Sequence, residues 1–298
     1  MGFVDRLILG TNPLVGVSHF SSARARNFER ELESSEAIKM IDVALSSGAS
    51  AINLSPGTRM YGIFNSMRDA DYPRNFGIYL MLPDLQRFRQ SMMVGGTGEV
   101  LKTLLSGMGW SSRLRGATRG AVAFLSSDYT KLVSAYLGVE MDKIKRVLPC
   151  GAAVTCVLAH EQLTDLATAL SADDLIRAFV KQVSRLALHP GFVTRNFPLL
   201  IESLKRCGIS PDDVAIMTPF NRLGFQMSPS REMCEDTLAQ IEGDNVIAMS
   251  VLGGGMISLA EAVKYLQSLG KVKSVAVGVS SKAHARETFE AFSDLLGS

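Results

Sequence analysis

A single parallel (β/α)8 TIM barrel is the fold this sequence predicts. Three observations predict it: eight short β-rich runs spread over 298 residues, helical periodicity after most of them, and continuous rather than alternating apolar content within most runs. Strands covered on both faces, by a packed bore inside and helices outside, need apolar side chains at successive positions, and that is what the runs supply. The length alone fits one barrel as well as two ordinary domains; the regular alternation favours one domain over 1–298, with a large core from 47% hydrophobic residues.

The first run is LILGTN (7–12), and the helix that follows is announced by Ser34 and Ser35 before Glu36 and closed by Gly48. The second run, AINLSP (51–56), leads into a helical stretch, and the third is FGIYLMLP (76–83). About 70 residues then separate the third run from the fourth where a βα unit needs about 30, so an insertion is expected at 95–148. It contains helical patterns, expected as extra helices or a lid over the barrel mouth, and an apolar run, GAVAFLSS (120–127). As a ninth strand, that run would displace a weaker one such as GFVTRN from the barrel.

The fourth run is VTCVLAH (154–160), with Ser171 placed to cap a helix at Asp173 and Asp174. The fifth is GFVTRN (191–196), its helix closed by Gly208. VAIMTPFN (214–221) precedes Ser228 and Pro229, a helix start before Glu232. VIAMSVL (246–252) is followed by a helix ending at Gly270, and VAVGVSS (275–281) is the last run.

Lys and Arg total 31 against 29 for Asp and Glu, a net charge of +2, so no electrostatic case exists for nucleic acid or an anionic membrane; a small anionic ligand remains open. The four cysteines form no CxxC pair and sit in apolar or helical contexts, as reduced buried thiols would. The opening apolar stretch is too short for a signal peptide, and no run reaches the roughly 18 residues of a membrane span. A cytoplasmic protein is expected.

In a barrel of this kind the working residues lie at the C-terminal strand ends. The clearest group follows the last run: Gly278, Ser280, Ser281 and Lys282, then Arg286 and Glu287 in the helix. A glycine allows close backbone approach, while hydroxyls, free helix-start amides and two cations suit a phosphate. An ordinary turn with Ser280 or Ser281 as cap has the same spacing, and both readings stay open. Before it, Gly253, Gly254 and Gly255 make either a backbone surface near a ligand or a connection needing positive φ.

The stretch 246–292, with its glycine-rich loop and its strand-to-helix phosphate group, resembles the C-terminal part of aldo-keto reductases. LILGTNPLVG is similar to that family's opening strand, GASAINLSPGTRMYG (48–62) to the stretch carrying its catalytic Asp and then Tyr-Gly, and VLAH to the strand ending in its catalytic His. The resemblance implies NADP(H) as cofactor, a small carbonyl substrate, Tyr61 as proton donor, His160 orienting the carbonyl, and Gly254, Gly278, Ser280, Ser281, Lys282, Arg286 and Glu287 around the cofactor. Asn53 stands in place of the family's aspartate, and IYLMLP offers Leu82 or a neighbour in place of its lysine. Without those charges Tyr61 is expected to titrate as a free phenol.

A second polar set lies outside that pattern. His19 with Arg24 and Arg26 follows the first run, and His160, Glu161 and Asp165 follow the fourth. Glu161 and Asp165 share a helix face, as an acid and base pair or as solvated charges. A barrel hydrolase or lyase using His19, His160 and Glu161, with or without a divalent metal, is therefore the second reading; with His189 these have metal-donor types, but no HxH or HExxH pair exists and no resident metal is expected. Asn12, His19, Arg195 and Asn221 are candidates for holding an anionic substrate. A barrel that binds a ligand without chemistry is the third reading.

Overall fold

The computed structural model describes residues 3–15, 34–83 and 129–297. Eight parallel strands close in sequential order into a barrel: β1 (Leu7–Gly10), β2 (Ala51–Leu54), β3 (Phe76–Leu82), β4 (Ala152–Ala159), β5 (His189–Val193), β6 (Ala215–Pro219), β7 (Val246–Met249) and β8 (Ser274–Gly278). The described helices are α1 (Ser34–Ser46), α2 (Thr58–Asp69), α3 (Tyr129–Lys145), α4 (Glu161–Ala169), α5 (Asp173–Ser184), α6 (Phe197–Cys207), α7 (Arg231–Ala239), α8 (Leu259–Leu269) and α9 (Lys282–Gly297). All eight runs are barrel strands, β5 among them, so GFVTRN is not displaced. GAVAFLSS lies outside the described residues; the end of the expected insertion forms α3.

Two cores result from the alternation of side chains. Outward residues such as Leu9, Ile52, Leu80, Val157 and Ile216 pack under the helices, and inward residues fill the bore: Ile8, Ala51, Tyr79, Leu158, Val193, Met217, Ile247 and Ala276. A bulge fixes this parity in β4. Ile78 pairs with Val154 but Tyr79 with Cys156, so Thr155 is the extra residue and Cys156 and Leu158 turn inward. Gly191 makes room for Leu158: a Cβ there would lie 2.6 Å from Leu158 Cδ2 and 2.7 Å from Ala215 O. At the N-terminal end Phe3 and Val4 pack on the bore. There the Tyr79 hydroxyl accepts from Asp5 N (2.7 Å) and donates to Asp5 Oδ2 (3.1 Å), inside the face that usually serves stability.

Three sequence expectations are corrected. Ser171 does not cap α5; it takes φ 51° to turn α4 into α5, and Ala172 occupies the cap position. Ser230, not Ser228, caps α7 by accepting from Met233 N (3.2 Å), because Ser228 N donates to Arg195 O (2.9 Å) in a bridge to the end of β5. Of the four cysteines Cys150 is exposed and Cys207 half-buried, whereas Cys156 and Cys234 are buried. Gly208 (φ 68°) and Gly270 (φ 67°) do close α6 and α8 in the left-handed conformation.

Candidate functional site

Parity decides which strand-end residues look into the barrel mouth. Following Ala51, Tyr79, Leu158 and Ile247 one step further brings Asn53, Met81, His160 and Met249 to the inner side, beside Met217. The β3 residue on that side is therefore Met81 and not Leu82, which packs in the outer core. The mouth-facing residue of β3 is therefore a thioether.

Asn53 Nδ2 donates to Met217 Sδ at 3.6 Å. Strands β2 and β6 face each other across the barrel, so this contact spans the bore and closes its floor. Asn53 Oδ1 is buried with no hydrogen-bond partner among the described residues. Beside it, Thr11 Oγ1 donates to Asn53 O (2.8 Å), tying the end of β1 to β2, and half-buried Asn12 follows. Tyr61 lies in the first turn of α2, its N donating to Gly57 O (3.0 Å), with its side chain half-buried against the outer core.

His160 caps α4. Its Nδ1 accepts from Gln162 N (3.2 Å), so in the neutral ring the proton sits on Nε2, and its own N donates to Leu82 O (2.6 Å), extending the β3–β4 ladder. Glu161 takes Arg195 in a bidentate pair, Oε1 to Nη2 at 2.5 Å and Oε2 to Nε at 3.2 Å. Asp165, on the same helix face, accepts from Thr194 Oγ1 (2.5 Å) and Arg195 N (3.2 Å). Burial pushes its carboxyl above the ordinary carboxylate range, against the pull of those two donors. Glu161 and Asp165 thus hold β5 rather than each other. Asn221, fully buried, spends both ends of its amide on Phe225, accepting from its N (2.8 Å) and donating to its O (2.9 Å). His19, Arg24 and Arg26 lie outside the described residues.

At the other side of the mouth β8 runs into α9. Ser280 and Ser281 are exposed, and Ser281 Oγ caps the helix by accepting from His284 N (3.2 Å). Lys282 opens the helix and pairs with Glu36 of α1 at 3.1 Å, which also holds Lys39 at 2.6 Å. Those two cations, Lys39 first, keep the Glu36 carboxyl below its ordinary range. Arg286 and Glu287 are exposed one turn on. Gly278 is narrower than the sequence implied: a Cβ would lie 2.9 Å from Pro13 Cδ, so the space its side chain lacks is taken by the Pro13 ring. Gly253, Gly254 and Gly255 have φ of 54°, 72° and 93°, so the connection does require the left-handed region, with Gly254 and Gly255 exposed.

Sequence reasoning missed Met81, Met217, Glu36 and Pro13 as neighbours of the site. All four are brought in by register and closure, Met81 through the register that turns Tyr79 inward. Among the described residues no group of three His, Cys, Asp or Glu side chains is placed to hold a metal ion.

No protein-family model matches the chain, and no curated protein sequence does. Among solved structures it is similar to a putative aldo-keto reductase from Pseudomonas aeruginosa, at 14% identity and TM-score 0.55, covering 97% of this chain and 90% of that one. It is also similar to an aldo-keto reductase from Bacillus halodurans in its holo form, at 16% identity and TM-score 0.54, covering 96% and 86%. An aldose reductase from Giardia lamblia follows at 13% identity and TM-score 0.50, covering 100% and 91%. At these identities the likeness establishes the fold: the chain has the barrel on which aldo-keto reductases are built.

Proposed function

We propose that the chain is an aldo-keto-reductase-like protein that binds a phosphate-bearing nicotinamide nucleotide, NADP(H), at the start of α9 and acts on a small carbonyl compound at the barrel mouth. The observation that carries this reading is the exposed group Ser280, Ser281, Lys282 and Arg286 at the N-terminal end of a 16-residue helix directly after β8. Hydroxyls, helix-start amides and cations are the donor set a phosphate asks for, and the helix dipole adds to them. The last strands of a barrel are a recurrent place for such a site.

When bound, the nucleotide would supply the hydride. The chain's own part is to present Tyr61 and the Nε2–H of His160 to the carbonyl oxygen. Because Nδ1 of His160 already accepts from Gln162 N, protonating the ring would set two donors against each other, which suits His160 to orienting rather than giving up a proton. Asn53 and the apolar end of β3 stand where the resemblance would give an aspartate and a lysine, so slow turnover is expected. The carbonyl meets a mouth whose Arg195 is already taken by Glu161, which favours a neutral substrate over an anionic one. In titrations NADPH fluorescence should change on binding, and protein that leaves it unchanged at millimolar cofactor sinks the proposal.

A ligand-binding barrel without chemistry is the second reading, favoured by the apolar end of β3 where the resemblance would give a lysine. Measured NADPH binding with no turnover of any aldehyde, and unchanged by Tyr61→Phe, selects it.

A further inference from the structure

Helix α4 begins at His160 and is bound to the end of β5 by two carboxyl groups of different quality. The Glu161–Arg195 pair is well shaped, but Arg195 is 39% exposed, so solvent screens it and it contributes little. Asp165 is half-buried, and its partner Thr194 has no exposure at all. Thr194 Oγ1, having donated to Asp165 Oδ1, accepts from Asn196 N (3.0 Å), and Asn196 Oδ1 in turn caps α6 through Leu199 N (3.2 Å). One carboxyl therefore heads a run of bonds joining α4, the end of β5 and α6.

The imidazole depends on that same first turn. Gln162 N holds Nδ1, Thr164 N donates to His160 O (2.9 Å), and Thr164 Oγ1 donates to Ala159 O (3.2 Å). A lift or rotation of α4 carries Gln162 N away from the ring and lets the tautomers mix. We propose that Asp165 is the positioning residue of His160: by clamping α4 to Thr194 and to the Arg195 backbone, it keeps Gln162 N–H on Nδ1 and so fixes an Nε2–H donor at the barrel mouth. The catalytic meaning of this clamp rests on the reading of His160 given above, whereas the clamp itself is testable without substrate.

The test is nitrogen NMR of the four histidine rings, with His160 assigned by the signal lost in His160→Gln. Wild-type protein should show His160 as a single tautomer, Nδ1 unprotonated and Nε2 protonated. In Asp165→Ala and in Thr194→Val, the gentler change, the two nitrogen shifts should move toward each other. Tyr265→Phe, which removes a hydrogen bond to Glu235 away from α4, should leave them in place. With carbonyl and NADPH, kcat should fall on the order of tenfold to a hundredfold in Thr194→Val with cofactor affinity unchanged. Unchanged His160 shifts in folded Thr194→Val overturn the proposal, and that variant decides if Asp165→Ala does not fold. Wild-type protein that fails to bind NADPH removes the functional reading while the ring shifts still decide the clamp.

Discussion

Lys282 meets a carboxylate before any ligand arrives. Glu36 lies 3.1 Å from its ammonium, and a phosphate at the start of α9 would have to share that cation with it. The pair is exposed, so its net worth is small, but the negative charge stands beside the site for any added anion. Glu36→Gln should therefore tighten NADPH binding by about fivefold at most and leave NADH, which lacks the 2′-phosphate, nearly unchanged. Lys282→Ala should weaken NADPH in the same titration, and equal effects on both nucleotides would contradict a role at the phosphate. Asp165 carries a prediction of opposite kind. Burial raises its folded-state value above the unfolded one, so the folded protein binds that proton more tightly, and the associated stability is full below the unfolded value and lost as pH rises through the folded one. Urea unfolding of wild type against Asp165→Asn should show the wild type gaining on the variant as pH is lowered through that window; wild type losing ground to the variant on acidification would show that burial does not raise this carboxyl.

Within elements, space and parity are the governing quantities. The bore accepts Leu158 because Gly191 has no side chain, and Gly191→Ala places a methyl against the backbone of β6 as well as that leucine. Overpacking of this type costs about 1–3 kcal/mol, to be read from thermal or denaturant unfolding with the barrel's far-UV spectrum retained. Helix α3 contains a buried ion pair, Glu140 with Lys143 at 2.8 Å. Lys143→Met alone leaves a buried carboxylate and should cost about 3–5 kcal/mol, whereas Glu140→Leu with Lys143→Met should recover most of it. The strands were legible in the sequence because parallel strands buried on both faces are continuous apolar runs, but the same continuity hides which side chain faces the bore. In FGIYLML nothing local separates Met81 from Leu82; the register with β2 and β4 does. Strand ends were overrun for a related reason. Thr194, Arg195 and Asn196 follow the apolar run directly, and Thr194 N still donates to Met217 O of β6; beyond it Arg195 turns its N to Asp165 and its O to Ser228 N, and the Asn196 side chain caps α6.

Over the whole molecule, the barrel is closed by its first and last strands. Leu7 to Gly10 pair in register with Val275 to Gly278, Val275 N donates to Arg6 O (2.8 Å), Ser274 Oγ donates to Asp5 O, and Arg6 Nη1 donates to Leu296 O (2.8 Å). The proposed phosphate site sits on this seam, because Lys282 belongs to the last helix, Glu36 to the first, and Pro13 after β1 fills the space at Gly278. None of that was visible in the linear pattern, where these residues stand some 240 or more positions apart; closure alone makes them neighbours. Neither half of the sheet can bury its bore face without the other, so urea unfolding should be one transition, with secondary structure followed in the far ultraviolet and aromatic packing in the near ultraviolet giving the same midpoint. Two separated midpoints would show that half the barrel stands alone. If NADPH binds at this proposed site, it should raise the single midpoint, by about 2.7 kcal/mol of stability at a hundred times its Kd. In Lys282→Ala that rise should shrink at equal cofactor concentration, while the protein without cofactor keeps the wild-type midpoint to within about 0.5 kcal/mol, as exposed side chains usually do.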